Sequence, residues 1–180
     1  MRADAKRNYD RLLAAADAAF RAHGTDASLE AVARSAGVAT GTLYGHFPTR
    51  RALVAALLRD RNQALFALAN DLSARLPAAG ALNEWTAAAV AHAAAYSGLA
   101  TLLAGGIGDE TSELHAACAQ LAGIGERLVA AAREAGDLRP DVTGTDLFTL
   151  VSAAAWTRDQ VPPDQADRLL HIGLRGLRTG

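Results

Sequence analysis

A chain of 180 residues, 51% apolar and 21% charged, is long enough to bury a core in one or two small domains and too apolar to stay disordered. The apolar content is mostly Ala and Leu with aromatics at only 5%, which favours helix over a β-sandwich or barrel. No 18-residue apolar run is present, no apolar stretch follows the charged first six residues, and Cys118 is the single cysteine. The sequence therefore predicts no membrane span, no secretory signal and no internal disulfide, and a reducing, cytoplasmic setting.

The predicted elements are all helices. The first spans 5–23, with Leu12, Leu13, Ala16, Ala19 and Phe20 at helical spacing and Gly24 as its stop. Ser28 caps a second helix, with Glu30 near its positive end and Leu29, Val32, Ala33 and Ala36 turned inward before Gly37. A third short helix covers 40–46 and ends before Pro48. Thr49 caps a long helix reaching about Leu76, ended by Pro77, which crosses from head to body without a flexible linker. The body continues with helices at 82–97, 99–104, 112–135, 145–159 and 164–178, broken by the glycines of 105–108, by Gly136 and Pro140, and by Pro162-Pro163. That makes about nine helices, no strand and no internal repeat. The expected architecture is all-α: a three-helix head (1–48) joined by the long helix to a helical body (49–180).

Charge is divided the same way. Residues 1–61 hold ten basic and six acidic side chains, net +4, and residues 62–180 hold eight and thirteen, net −5. A basic head on an acidic body suggests that only the head meets a polyanion such as nucleic acid. Within that head, 28–37 followed by 38–47 reads as helix, tight glycine turn and short helix, the helix-turn-helix arrangement, whose second helix fits a major groove. Thr40 and Thr42 are short donors near the start of that helix, Gly41 permits close backbone approach, and Tyr44 and His46 can reach phosphates on either side. Arg50 and Arg51 open the next helix, where guanidinium groups and amide dipoles can share an anion. With the Ser28 cap, these eight residues are the candidate DNA-binding set. Leu43 and Phe47 face the rest of the head as core.

At these residues the chain resembles the tetracycline-repressor (TetR) family of bacterial transcription regulators. The resemblance covers about residues 9–55 and is carried by Phe20 and Gly24, Ser28, Val32-Ala33, Ala36-Gly37-Val38, Gly41-Thr42-Leu43-Tyr44, His46-Phe47, Thr49-Arg50 and Leu53. Three positions depart from the family pattern. Ala39 stands where a capping Ser is common, with Thr40 as the substitute cap. Gly45 stands where a larger residue is usual, and Arg51 replaces a common acidic residue.

The body carries no quotable motif. Trp85, His92 and Tyr96 fall on one face of the predicted 82–97 helix, at spacings of seven and four. They read either as core or, with Leu103, Cys118 and Trp156, as an apolar effector pocket with a few polar groups; the resemblance to the TetR family, which commonly keeps such a pocket, is what raises the second reading. His115 and Cys118, three apart, supply two metal ligands without two more, and Gly105-Gly106-Ile107-Gly108 lacks the preceding strand a nucleotide loop needs. No nucleophile elbow or metalloprotease motif occurs, so neither an enzyme nor a cofactor is expected. Ala166, Leu169, Leu170, Gly173, Leu174 and Leu177 form an apolar stripe on the last helix. The resemblance implies that the terminal helices make a four-helix dimer contact there, through Leu169, Leu170, Gly173, Leu174 and Leu177.

The combined expectation is a homodimeric regulator, a repressor, that binds palindromic double-stranded operator DNA and is released by a small apolar or aromatic effector. Two other readings stay open. One is a DNA-binding regulator whose body only dimerises. The other is a helical ligand-binding or interaction protein with a vestigial helix-turn-helix.

Overall fold

The computed structural model describes residues 2–104 and 113–179. The described chain is nine helices in the order α1 (Arg2–His23), α2 (Leu29–Ser35), α3 (Thr40–His46), α4 (Arg50–Arg75), α5 (Ala78–Ala93), α6 (Leu99–Ala104), α7 (Glu113–Glu134), α8 (Gly144–Thr157) and α9 (Pro163–Gly176). Among the described residues there is no strand, only an isolated bridge between Leu138 and Arg178. The predicted glycine break at 105–108 lies outside the described residues.

The apolar side chains sort into two clusters. In the head, Leu12, Phe20, Val32, Leu43, Phe47 and Leu53 meet between α1, α2, α3 and the start of α4. That cluster runs past the head, taking in Leu58 of α4 and Tyr96, Leu99 and Leu114 from the body. The second cluster lies among the distal half of α4, α5, α7 and α8, with Leu72, Leu82, Val90, Val129 and Leu147 essentially inaccessible. Helix α9 closes it by packing on α8, where Gly173 brings its backbone against Leu150.

Helix ends follow local chemistry. Thr49 Oγ1 accepts from the Ala52 amide at 3.1 Å to cap α4, and Thr143 with Asp146 forms a reciprocal capping box on α8. The start of α5 is earlier than its sequence suggests. Pro77 sits at the N-cap position, and Ala78, Ala79 and Gly80 make the first turn. Its end is earlier too, because the chain leaves the helix at Ala94 and turns through Gly98, whose φ of 79° is the left-handed region that suits glycine. Tyr96 is therefore on a turn, off the helical face that holds Trp85 and His92. Tyr96 leaves that face because α5 ends one turn earlier than the sequence predicts.

Candidate functional site

The head presents α3 outward. Ser28 Oγ accepts from the Ala31 amide at 3.2 Å and donates to Glu30 Oε2 at 2.8 Å, so α2 is capped and its first turn held. Gly37, with φ of 64°, makes the turn into α3. Ala39 caps α3 with no side-chain hydrogen bond; Thr40 is the first helical residue and does not replace the missing cap. Gly41, Tyr44 and Gly45 are exposed, and Thr40, Thr42 and His46 are half-buried along the same short helix. Tyr44 is 41% exposed, with its hydroxyl 3.5 Å from Glu30 Oε1. The His46 ring stands edge-on to Tyr9 at 5.9 Å. Leu43 and Phe47 are buried, as core residues of the head.

The two arginines that open α4 point elsewhere. Arg50 Nη1 donates to the carbonyls of Thr25 and, at 2.6 Å, Ala27. Those carbonyls lie in the α1–α2 connection, so Arg50 braces the entry to α2 and has one nitrogen spent on the protein itself. Arg51 Nη2 reaches the carbonyl of Leu102 in α6 at 3.4 Å, which turns it toward the body and away from the α3 face. Sequence position alone put both on the phosphate side; helical phase turns them inward.

The body holds an internal cavity of about 50 Å³, counted as room for the centre of a water molecule. Its wall includes Trp85, His92, Leu103 and Cys118 from the predicted set. It also includes Leu121, Gly125, Phe148 and Ser152, which sequence reasoning missed; the i, i+4 pair Phe148 and Ser152 was the available signal. Two predicted members do not belong. Tyr96 packs edge-on against Phe20 at 5.8 Å and donates to Asp17 at 2.7 Å, so it serves the head–body junction. Trp156 is 52% exposed on the outer side of α8, because its position in the helix faces away from the core.

The cavity's polar groups are few. Trp85 Nε1 donates to the Leu65 carbonyl at 3.2 Å and is thereby occupied, and Ser152 Oγ donates back to the Phe148 carbonyl at 3.0 Å. His92 is buried, and loss of hydration, with the Arg61 charge adding, holds its pKa down at about 4. Burial pushes the Cys118 thiol up. Both side chains are therefore neutral near pH 7. Among the described residues no cluster of three or more His, Cys, Asp and Glu could hold a metal ion.

The terminal helices divide the predicted stripe. Ala166, Leu170 and Leu174 are buried in the chain's own core, and Leu177 packs half-buried against it. Gly173 meets Leu150 inside the α8–α9 contact. Only Leu169 of the predicted interface set is exposed, at 45%, alongside Ile172 at 51% and Trp156 at 52%. The outward face of α9 is Gln165, Leu169, Ile172 and Gly176, and that of α8 is Thr149, Ala153 and Trp156. Apart from Leu169, the stripe is the face that α9 buries against its own chain, so the apolar face is as the sequence predicts and its partner is the body core instead of a second copy.

Residues 12–57 match the family described as bacterial regulatory proteins, tetR family. Residues 77–179 match the family described as transcriptional regulator SbtR-like, C-terminal domain. No curated protein matches significantly. Among solved structures, a TetR transcriptional regulator, SCO0520 from Streptomyces coelicolor, is 38% identical with a TM-score of 0.62, covering 94% of this chain and 97% of that one. A TetR transcription regulatory protein from Mycobacterium vanbaalenii is 34% identical with a TM-score of 0.57, covering 99% of each. The ketosteroid transcriptional regulator KstR2 of Mycobacterium tuberculosis, 24% identical with a TM-score of 0.64 and covering 97% of this chain and 96% of that one, shares the fold.

Proposed function

The chain belongs to the TetR family of bacterial transcription regulators, and we propose that it is a homodimeric repressor that binds palindromic operator DNA and is released by a small apolar effector. The observation that carries the DNA reading is the outward face of α3, where Thr40, Gly41, Thr42, Tyr44 and His46 stand unburied or half-buried on a well-packed three-helix head. Ser28 supports that face through the α2 cap. Arg50 acts as a brace for α2 and Arg51 as a link to α6, instead of phosphate contacts. The working division remains an operator-binding head at 1–48 and a body at 49–180.

The homodimer reading rests on the exposed faces of α8 and α9. The two helices pack on each other and leave exposed small or apolar residues, Thr149, Ala153 and Trp156 on α8 and Leu169, Ile172 and Gly176 on α9. Two copies related by a two-fold axis would bury this face in a four-helix contact and set two heads toward the half-sites of a palindrome. The effector reading rests on the cavity between α4, α5, α7 and α8. A ligand that fits one body conformation better than the other shifts the population of head spacings and lowers operator affinity by its differential binding.

The test is selection of bound sequences from a random DNA pool, followed by binding measurements on the selected duplex. Recovery of a palindrome bound by two copies supports the reading. A folded protein that enriches no sequence at low salt would leave only the helical ligand-binding alternative.

A further inference from the structure

The cavity wall contains, among the described residues, no charged side chain. Its two cationic neighbours lie outside the wall: Arg61 lines a separate groove on the outer side of His92, and Arg51, whose charge reaches Cys118, is held at the Leu102 carbonyl. Three of the four polar side chains in the wall cannot serve as free donors to a guest. The Trp85 N–H is given to Leu65, the Ser152 hydroxyl proton is given to Phe148, and the Cys118 thiol is a weak donor. His92 is different. It is 7% exposed, it lines the cavity, and no described residue hydrogen-bonds to it. Its ring nitrogens keep some accessible surface and are bonded to no described residue, so the imidazole is free to pair with a guest.

We propose that the cavity takes an uncharged, largely apolar molecule carrying one hydroxyl or carbonyl group, which hydrogen-bonds to the His92 imidazole. A neutral imidazole donates from one nitrogen and accepts at the other, so it meets either group. A carboxylate or ammonium would lose its hydration in this wall without a partner of opposite charge, a penalty of several kcal/mol. The cavity is narrow, and a buried water needs only about 10–15 Å³ by the same measure. A ring-sized guest therefore has to move wall residues, and Leu103, Leu121 and Phe148, only half-buried, are the ones with room to yield. This inference rests on the effector reading above, and names the class of molecule for that site.

The experiment uses the full chain carrying Trp156→Phe, which leaves Trp85 as the only tryptophan and places the reporter in the cavity wall. Emission is titrated at pH 7 with benzyl alcohol, toluene, benzoate and benzylammonium. Benzyl alcohol is expected to give a saturable change, with benzoate and benzylammonium at least tenfold weaker. His92→Leu is expected to cost benzyl alcohol at least fivefold and to leave toluene unweakened. A ¹⁵N shift of the His92 ring on adding benzyl alcohol, and none on adding toluene, reads the same contact without a substitution. Benzoate or benzylammonium binding as tightly as the alcohol would overturn the proposal. So would no saturable change with benzyl alcohol, or a His92 ring that does not respond to it. A bound alcohol that fails to loosen the selected operator would count against effector release and leave the ligand class standing.

Discussion

The phenolic hydroxyl of Tyr96 donates to Asp17 Oδ1 across 2.7 Å, tying the turn that follows α5 to the middle of α1. Two other contacts fix the same seam. The Thr25 amide donates to the Ser97 carbonyl at 2.8 Å, and a Cβ on Gly24, at φ of 74°, would stand 2.8 Å from that oxygen. The head is therefore held at its back by the turn that begins two residues after the cavity residue His92, as well as by α4. Arg21 first, and Tyr96 with it, hold the Asp17 carboxyl below the usual carboxylate range. Burial and the Asp17 contact push the Tyr96 hydroxyl up to about 12, so it stays a donor at any working pH.

Tyr96→Phe keeps the ring against Phe20 and removes only the hydrogen bond. The expected loss is about 1 kcal/mol, toward the low end for a bond to a charged group because Asp17 is partly solvated. Denaturant midpoints measure it. Asp17, losing a donor, should titrate higher in the variant by NMR. Its contribution to stability is present above the ordinary carboxylate range and lost as pH falls through the folded value, so the variant should lose stability at higher pH than the parent. Effector-induced release of operator should weaken as well, since the seam between the head and the turn after α5 loses one of its hydrogen bonds while the Thr25–Ser97 bond remains.

Leu169→Glu with Ile172→Glu should give a folded monomer at micromolar concentration, because both side chains are exposed in the single chain and placed on the face proposed to pair. Burying two charges there would cost several kcal/mol of association. Leu170→Glu or Leu174→Glu should instead unfold the body, since both are in its core. Sedimentation and circular dichroism separate the outcomes. A double variant that remains dimeric would move the interface to another face.

Arg50→Ala should act on stability before it acts on DNA. It removes the bonds to the Thr25 and Ala27 carbonyls, a loss of about 2 kcal/mol, read as a lowered denaturant midpoint. Measured where the variant is still folded, the slope of log affinity against log salt should stay nearly that of the parent, whereas a lost phosphate contact would lower it by about one. Tyr44→Ala should do the reverse, leaving the midpoint within about 0.5 kcal/mol and weakening operator binding.

The helices were legible because their signals are local. Ser28, Thr49 and Thr143 cap by side-chain bonds to nearby amides, and Gly24, Gly37 and Gly136 stop helices at positive φ. The buried positions of α1 and α2 follow from a narrow apolar face with charged residues opposite. Errors concentrate where Ala fills both faces of a helix and phase is weakly marked. Trp156, on Ala-rich α8, is expected inward and lies outward; Leu170 and Leu174 lie on a clearly marked apolar face of α9, whose partner is the chain's own core instead of a second copy. Tyr96 was misplaced by one turn, because nothing between Ala93 and Ser97 marks the end of α5 except Gly98. Arg50 and Arg51 show a further limit, since their partners are carbonyls remote in sequence, at Thr25, Ala27 and Leu102, and no pattern names a backbone acceptor.

His92 makes the stability of the body depend on pH in a definite direction. In the unfolded chain its ordinary pKa is 6.5, and in the folded chain burial, with Arg61 adding, holds it near 4. Between those values the unfolded state binds a proton that the folded state refuses, so folding weakens as pH falls from about 6.5 to about 4. Above that window the residue is neutral in both states and contributes no slope. The groups that bear on it are the exposed Arg61 on its outer side and, in the cavity wall, the Cys118 thiol, which is neutral throughout the window. At about 1.4 kcal/mol per pKa unit the full effect is about 3 kcal/mol. Other carboxylates titrate in the same range, so the measurement is the difference between the parent and His92→Leu. That difference should move by about 3 kcal/mol in favour of the variant between pH 7 and pH 4. A constant difference across the window would mean that the imidazole charges freely in the folded protein, and would place it in contact with water instead of a dry wall.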